Sequence, residues 1–346
     1  MNKLFLGLLI FVPLAAAAEA TGTTAIVTFF LAAIAIMPLA KYIGEATEEL
    51  AGRTNSAVGG LLNATFGNAT EIIIGLFALQ AGLVEVVKAS ITGSIIGNLL
   101  LVLGMAVLFG GWGKEKQTFS ATAAKATGST LLLAVIALVM PAIFLLTAPQ
   151  SSAVVDTLSI FVAVIMIGAY AANLFFTLYT HNHLYRDVEK FEPKWSVGKS
   201  LLILFVSTVV VAWMSEILVG SIEPLVESWG WSELFIGVIL IAIIGNAAEH
   251  VSAITVALKN RMDLALQISI GSAIQIAMFA APVLVLASFL FPVHMGLVFN
   301  VFELVAIIAS VFIANSISED GESNWFEGLQ LLAAYAIMAV AFFFHP

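Results

Sequence analysis

The sequence predicts an all-α polytopic membrane protein of about eleven transmembrane helices, two inverted five-helix repeats preceded by one extra N-terminal helix. Three observations predict it. The 346 residues are 61% hydrophobic and only 10% charged, whereas a soluble domain is about a quarter charged. Apolar stretches of about 20 residues, the length of a helix that crosses a bilayer, recur along the whole chain. A Gly-Asn-Ala-x-Glu block occurs twice inside such stretches, as Gly67-Asn68-Ala69-Thr70-Glu71 and Gly245-Asn246-Ala247-Ala248-Glu249, with the glutamates 178 residues apart. The mean hydropathy of +1.08 agrees. A transmembrane β-barrel would instead show alternating segments of about ten residues. The chain has no cysteine, so disulfides and thiolate metal sites are excluded. The formal charge of −9 says little about nucleic acid, but the 13 Lys and Arg form no basic patch with interleaved aromatics, so no nucleic-acid partner is expected.

The spans fall at roughly 3–18, 23–50, 57–81, 84–109, 119–147, 153–179, 197–221, 232–258, 264–291, 295–316 and 325–344. Residues 1–20 read as a short first helix. Lys3, a short apolar core and Ala15-Ala16-Ala17-Ala18-Glu19 also suit a secretory signal peptide with its cleavage site. Basic residues in loops set the orientation. With eleven spans, Lys3, Arg53, Lys114, Lys116, Arg186, Lys190, Lys194, Lys259 and Arg261 share one side, and Lys88 stands alone on the other. The basic side is expected to be cytoplasmic, with the N-terminus inside and the C-terminus outside.

At the 178 offset further matches appear: Gly93-Ser94 meets Gly271-Ser272, and Ile96 meets Ile274. Upstream, Glu48 and Leu50 meet Glu223 and Leu225 at an offset of 175. The repeats are therefore residues 23–180 and 196–346, joined by a cytoplasmic linker at 181–195 that is polar and mixed in charge. Each repeat holds five helices, an odd number, so the second enters the bilayer the opposite way up. Inverted repeats of this kind place substrate at the midplane between the halves.

A carboxylate at that depth costs roughly 2.5–3.5 kcal/mol on insertion scales. Gly-Asn ahead of it is poor helix interior and predicts a break that releases backbone carbonyls. Asn68 and Glu71, three residues apart, share a helix face, and Asn246 and Glu249 repeat this. Two carboxylates and two amides are hard oxygen donors suited to calcium. Zinc and copper want thiolates or imidazoles, and His250 is the single histidine beside the motif. Without metal, two neighbouring buried carboxylates take up protons. The pair then carries one dication or two protons, and a doubly negative empty site resists reorientation. Asn98 and Gln275, with Ser94 and Ser272, are candidates for the ion path, although interhelical hydrogen bonding explains them equally. Glu48 and Glu223 are candidates for its approach, while Glu45, Glu48 and Glu49 read equally as a solvated helix end paired with Lys41 or Arg53. His250 has the chemistry of a proton relay, but adjacent helix residues diverge by about 100°. Glu303 is intramembrane with no assigned partner.

The run Gly67-Asn-Ala-Thr-Glu-Ile-Ile-Ile-Gly-Leu-Phe-Ala-Leu79 resembles the first signature of the cation/proton exchangers, the calcium/proton antiporters of vacuolar and microbial membranes. Gly245-Asn-Ala-Ala-Glu-His250 with Gly271-Ser-Ala-Ile-Gln275 resembles the second. The resemblance covers residues 23–344. It implies the calcium/cation antiporter fold, and Glu71 and Glu249 as alternating calcium and proton ligands. It also implies supporting roles for Asn68, Asn246 and Gln275, and proton-linked modulation at His250. Calcium is then the transported substrate, protons the counter-ion, and no cofactor is implied.

Two transport readings compete: a sodium/calcium exchanger on the same architecture, which would want additional sodium ligands, and a calcium-permeable channel. An enzyme is disfavoured, because there is no His-Glu-x-x-His, no Gly-x-Ser-x-Gly, no paired aspartates on a cleavage motif and no phosphate-cradling Gly-x-x-x-x-Gly-Lys-Ser/Thr.

Overall fold

In the computed structural model, residues 3–54, 56–148, 152–181 and 193–345 are described. Most of the expected linker lies outside them. The described chain is almost entirely helical, and eight helices are long and apolar enough to cross a membrane, or nine if a pair bent by 57° is one span. The other two expected spans are represented by shorter apolar helices: Phe5–Ala20 at the N-terminus, and Ala69–Gln80 after a break. The molecule is thus an integral multi-pass membrane protein whose segments follow the expected order.

The chain forms two compact units, Met1–Ser90 with Glu189–Ala248 and His345–Pro346, and Ile91–Val188 with Glu249–Phe344. Each unit draws on both halves of the sequence.

The first unit is built on α3 (Ala25–Ala51). Its buried face is rich in small residues, with Ala32, Ala33, Ala35, Ala40 and Ala46 among them. Small side chains let backbones approach closely where lipid supplies no hydrophobic drive. Along this face runs α10 (Val197–Gly220), which buries Ser200, Ser207 and Ser215. Around α3 also pack α1 (Lys3–Leu8), α2 (Phe11–Ala20), α4 (Ser56–Phe66), α5 (Ala69–Gln80), α11 (Ile222–Trp229) and α13 (Ala242–Gly245). Ahead of α13 come α12 (Glu233–Phe235) and a π-helical stretch, Ile236–Ile241. Ala15 and Ala18 of α2 are buried, and Lys41 of α3 lies 4.2 Å from the Phe5 ring centroid.

The C-terminal end of α3 holds the last residues before α10. The buried Glu49 carboxylate accepts from the backbone N–H groups of Lys194 and Trp195, at 2.7 and 2.8 Å. Arg53 donates to the carbonyl of Trp195. Glu45 pairs with Lys41 at 3.8 Å. The expectation of Glu45, Glu48 and Glu49 as a solvated helix end paired with Lys41 or Arg53 therefore needs correction at Glu49. Two backbone donors from distant chain remove it from water.

The second unit contains α7 (Leu103–Gly111), α8 (Ala121–Thr147), α9 (Ser152–Phe175), α14 (Ala247–Leu258) from Glu249 onward, α15 (Met262–Gln275), α16 (Ala281–Ser288), α17 (Val301–Ser318) and α18 (Trp325–Phe344). Packing of α18 on α7 is close: a Cβ at Gly328 would strike the backbone N of Leu108. A helix, α6 (Val84–Ile96), passes from the first unit into the second and continues through a π-helical turn, Gly97–Val102, into α7. Strands β1 (Gln117–Thr118) and β2 (Glu322–Ser323) pair antiparallel. Lys116 and Glu322 pair at 2.6 Å, and Lys114 and Gln117 donate to Asn260 Oδ1 at 2.9 and 3.2 Å. Three loops of the expected basic side are therefore tied together within this unit.

Candidate functional site

Both Gly-Asn blocks break their helices. In the first copy α4 ends at Phe66 and α5 begins at Ala69, with Asn68 at φ −109°, ψ 28° between them. In the second, α13 ends at Gly245, Asn246 takes φ −90°, ψ 16°, and α14 begins at Ala247. The two segments there meet at 57°. Asn68 and Asn246 are 0% and 1% exposed. They occupy the breaks themselves, at the ends of the flanking helices. Each stands immediately ahead of a helix whose third residue is the glutamate.

That placement has an electrostatic consequence. Glu71 lies in the first turn of α5 and Glu249 in the first turn of α14. The positive end of a helix favours a carboxylate by about 0.3–1 kcal/mol. The preceding half-helices end at the same breaks with carbonyls that lack an intrahelical donor. Each break therefore sets cation-seeking and anion-seeking backbone side by side. Both carboxylate oxygens of Glu71 are buried, as is Oε2 of Glu249. The Asn246 amide nitrogen donates to the Ala242 carbonyl at 2.8 Å, which turns the amide by its nitrogen toward α13.

Within the first unit the two motifs meet. A Cβ built on Gly245 would lie 3.0 Å from Glu71 Cγ, 3.3 Å from its Oε1 and 3.4 Å from its Cδ. The side chain of Glu71, from the first copy of the motif, thus rests against the glycine of the second.

Within the second unit the Asn98 amide nitrogen donates to the Ser94 carbonyl at 3.0 Å and to Ser272 Oγ at 3.2 Å. All three residues are buried. Gln275 is half-buried at the end of α15, where it interacts with buried Tyr170 of α9. A π-helical turn, Ile276–Ala280, follows directly. The two halves thus each carry a π turn beside their polar residue, Asn98 or Gln275. Such turns widen a helix locally and are frequent at functional sites. His250 is half-buried, while Glu48 and Glu223 are exposed in the last turn of α3 and the first turn of α11. Among the described residues no three His, Cys, Asp or Glu side chains gather as a metal cluster.

Glu303, left without a partner by sequence reasoning, is fully engaged. It accepts from Thr92 Oγ1 at 3.0 Å and from the Asn300 backbone N–H at 3.0 Å, and Asn300 caps α17 in return. Asn300-x-x-Glu303 is a capping-box pattern readable in sequence. The Gly245 contact and the π turn at Ile276–Ala280 carried no compositional signal, and Gly97-Asn98 in the other turn reads equally as a break.

The model of the family described as "Sodium/calcium exchanger protein" matches residues 24–179 and 199–344. A relative named "Ca(2+)/H(+) antiporter" in Synechocystis sp. is 49% identical, with 100% of this chain and 98% of that protein covered. "Ca(2+)/H(+) antiporter ChaA" of Bacillus subtilis is 47% identical, with 99% of each covered. The solved structure of native YfkE superposes with a TM-score of 0.87 at 45% identity, covering 99% of both chains. The chain belongs to the sodium/calcium exchanger protein family.

Proposed function

We propose that this chain is a secondary active transporter that exchanges calcium for protons by alternating access, with Glu71 and Glu249 as the groups that carry either one. Relatives at 49% and 47% identity are named Ca(2+)/H(+) antiporters over essentially their whole length. The observation that carries the site assignment is the seat of Glu71 on Gly245, which joins the two copies of the motif. Residues 23–180 and 196–346 are read as the two repeats, joined by a cytoplasmic linker at 181–195. The N-terminus is cytoplasmic and the C-terminus opposite.

Calcium takes about 6–8 oxygens in flexible geometry. The carboxylates of Glu71 and Glu249 supply the charge. Asn68, Asn246 and Gln275 add amide oxygens, and carbonyls at the breaks with water complete the shell. Asn98, Ser94 and Ser272 line the path, Glu48 and Glu223 its approaches, and His250 modulates proton exchange. When calcium leaves, protons replace it, because two like charges held in a poorly solvated site raise each other's affinity for protons. Loaded with a dication or two protons the site is close to neutral, and reorientation is allowed. Empty and doubly negative, it is not. Exchange follows from that charge rule without a motor domain.

In sodium-free proteoliposomes, an imposed pH gradient is expected to drive radioactive calcium uptake. Glu71→Gln and Glu249→Gln keep side-chain shape but lose the titratable proton, and each is expected to abolish uptake. Uptake only with a sodium gradient would favour sodium exchange, and calcium flux without proton counterflow would favour a channel.

A further inference from the structure

The reason for glycine at 245 is steric. Gly245 ends a helix, and its φ lies outside the left-handed region, where any L-residue is accepted. By helix propensity alone alanine would be preferred there, by about 1 kcal/mol. What opposes it most closely is Glu71: the three atoms nearest a Cβ at 245 are its Cγ, Oε1 and Cδ. At 3.0–3.4 Å they are closer than a methyl group is normally packed, so one side must give way. The backbone of α13 is held by α3 and α5, whereas the Glu71 side chain is the softer partner.

We infer that Gly245 is a positioning residue for the Glu71 carboxylate. Its missing side chain is the space that lets the first motif's carboxyl group reach the second motif's broken helix. The break itself is carried by Asn246, which satisfies the Ala242 carbonyl with both its backbone and side-chain nitrogens, at 3.1 and 2.8 Å. Glycine is thus required for room and not for torsion. The consequence for transport rests on Glu71 being a cation ligand; the steric coupling does not.

The test uses the full chain in two readouts. First, thermal unfolding is compared for the native sequence, Gly245→Ala, Glu71→Ala and the double variant. The added methyl group is expected to lower the unfolding temperature more in the native background than in the Glu71→Ala background, where the space is open. An equal effect in both backgrounds would overturn the inference, as would a failure to fold of both chains that carry Gly245→Ala. A Gly245→Ala chain that folds only together with Glu71→Ala would support it. Second, in sodium-free proteoliposomes Gly245→Ala is expected to raise the calcium concentration for half-maximal uptake about tenfold, the size of a modest overpacking effect. Gly168→Ala serves as the control, since a Cβ there would meet nothing within 4 Å, and is expected to behave as native. An unchanged half-saturation in Gly245→Ala would overturn the functional part. If Glu71→Gln still transports, it is the ligand assignment that falls, and the unfolding comparison stands separately.

Discussion

At the scale of residues, the same local pattern serves two ends. Asn-x-x-Glu occurs at 68–71, 246–249, 300–303 and 324–327. In the last two the carboxylates of Glu303 and Glu327 fold back onto the backbone N–H groups of Asn300 and Asn324, at 3.0 Å each. Those are helix caps. Asn68 makes no side-chain cap bond, and the Glu71 carboxylate lies buried against Gly245. What separates cap from candidate ligand is the preceding glycine, which stands before Asn68 and Asn246 but not before Asn300 or Asn324. Glu303→Ala removes a cap and the partner of Thr92, so it is expected to cost stability by about 1–3 kcal/mol, while Glu303→Gln keeps an acceptor and much of the loss is avoided. Thermal unfolding in detergent checks both, and a Glu303→Gln chain as unstable as Glu303→Ala would show that the charge itself is needed.

At the scale of elements, Glu49 binds α3 to the entry of α10 through two charge-assisted hydrogen bonds. Glu49→Ala leaves two backbone donors without their acceptor and is expected to lower stability by about 1–3 kcal/mol. A shift in unfolding temperature reports this, and no shift would mean that water replaces the carboxylate. The exposed Lys116–Glu322 pair is different in kind. Its hydrogen bond to Glu322 holds the Lys116 ammonium above its ordinary pKa. The pair's contribution is therefore complete below the ordinary lysine value and fades only as pH climbs through the raised one. Lys116→Met is accordingly expected to leave the pH dependence of uptake between about 6 and 9 unchanged, since an exposed pair contributes little. Hydropathy and the Gly-Asn pairs made the spans and both breaks legible. The π turns were not: Gly97-Asn98 opens one of them, but the same pair marks a break at 67–68 and 245–246, so the dipeptide does not tell a widened turn from a broken helix. The partners of Glu49 were hidden for another reason: they lie 145 and 146 residues away along the chain.

At the scale of the whole molecule, duplication was visible in two blocks of matching residues, and the family model fits the chain once in each half. The compact units do not follow that division, since each takes helices from both halves. Sequence similarity marks descent, whereas packing is decided by which faces meet, and no one-dimensional pattern records that. Orientation is open to a direct check because the native chain has no cysteine. Arg53→Cys, Lys114→Cys and Lys259→Cys are expected to react with an impermeant thiol reagent from the cytoplasmic side only, and Lys88→Cys from the other. Labelling of Lys88→Cys and Arg53→Cys from one side would refute the eleven-span topology. The central claim is that two acidic side chains trade a dication for protons. Its most direct test is radioactive calcium uptake into sodium-free proteoliposomes under a pH gradient, by the native chain and by Glu71→Gln and Glu249→Gln. Uptake that follows the gradient and disappears in both variants is the expected result; native-like uptake by either variant would contradict the account.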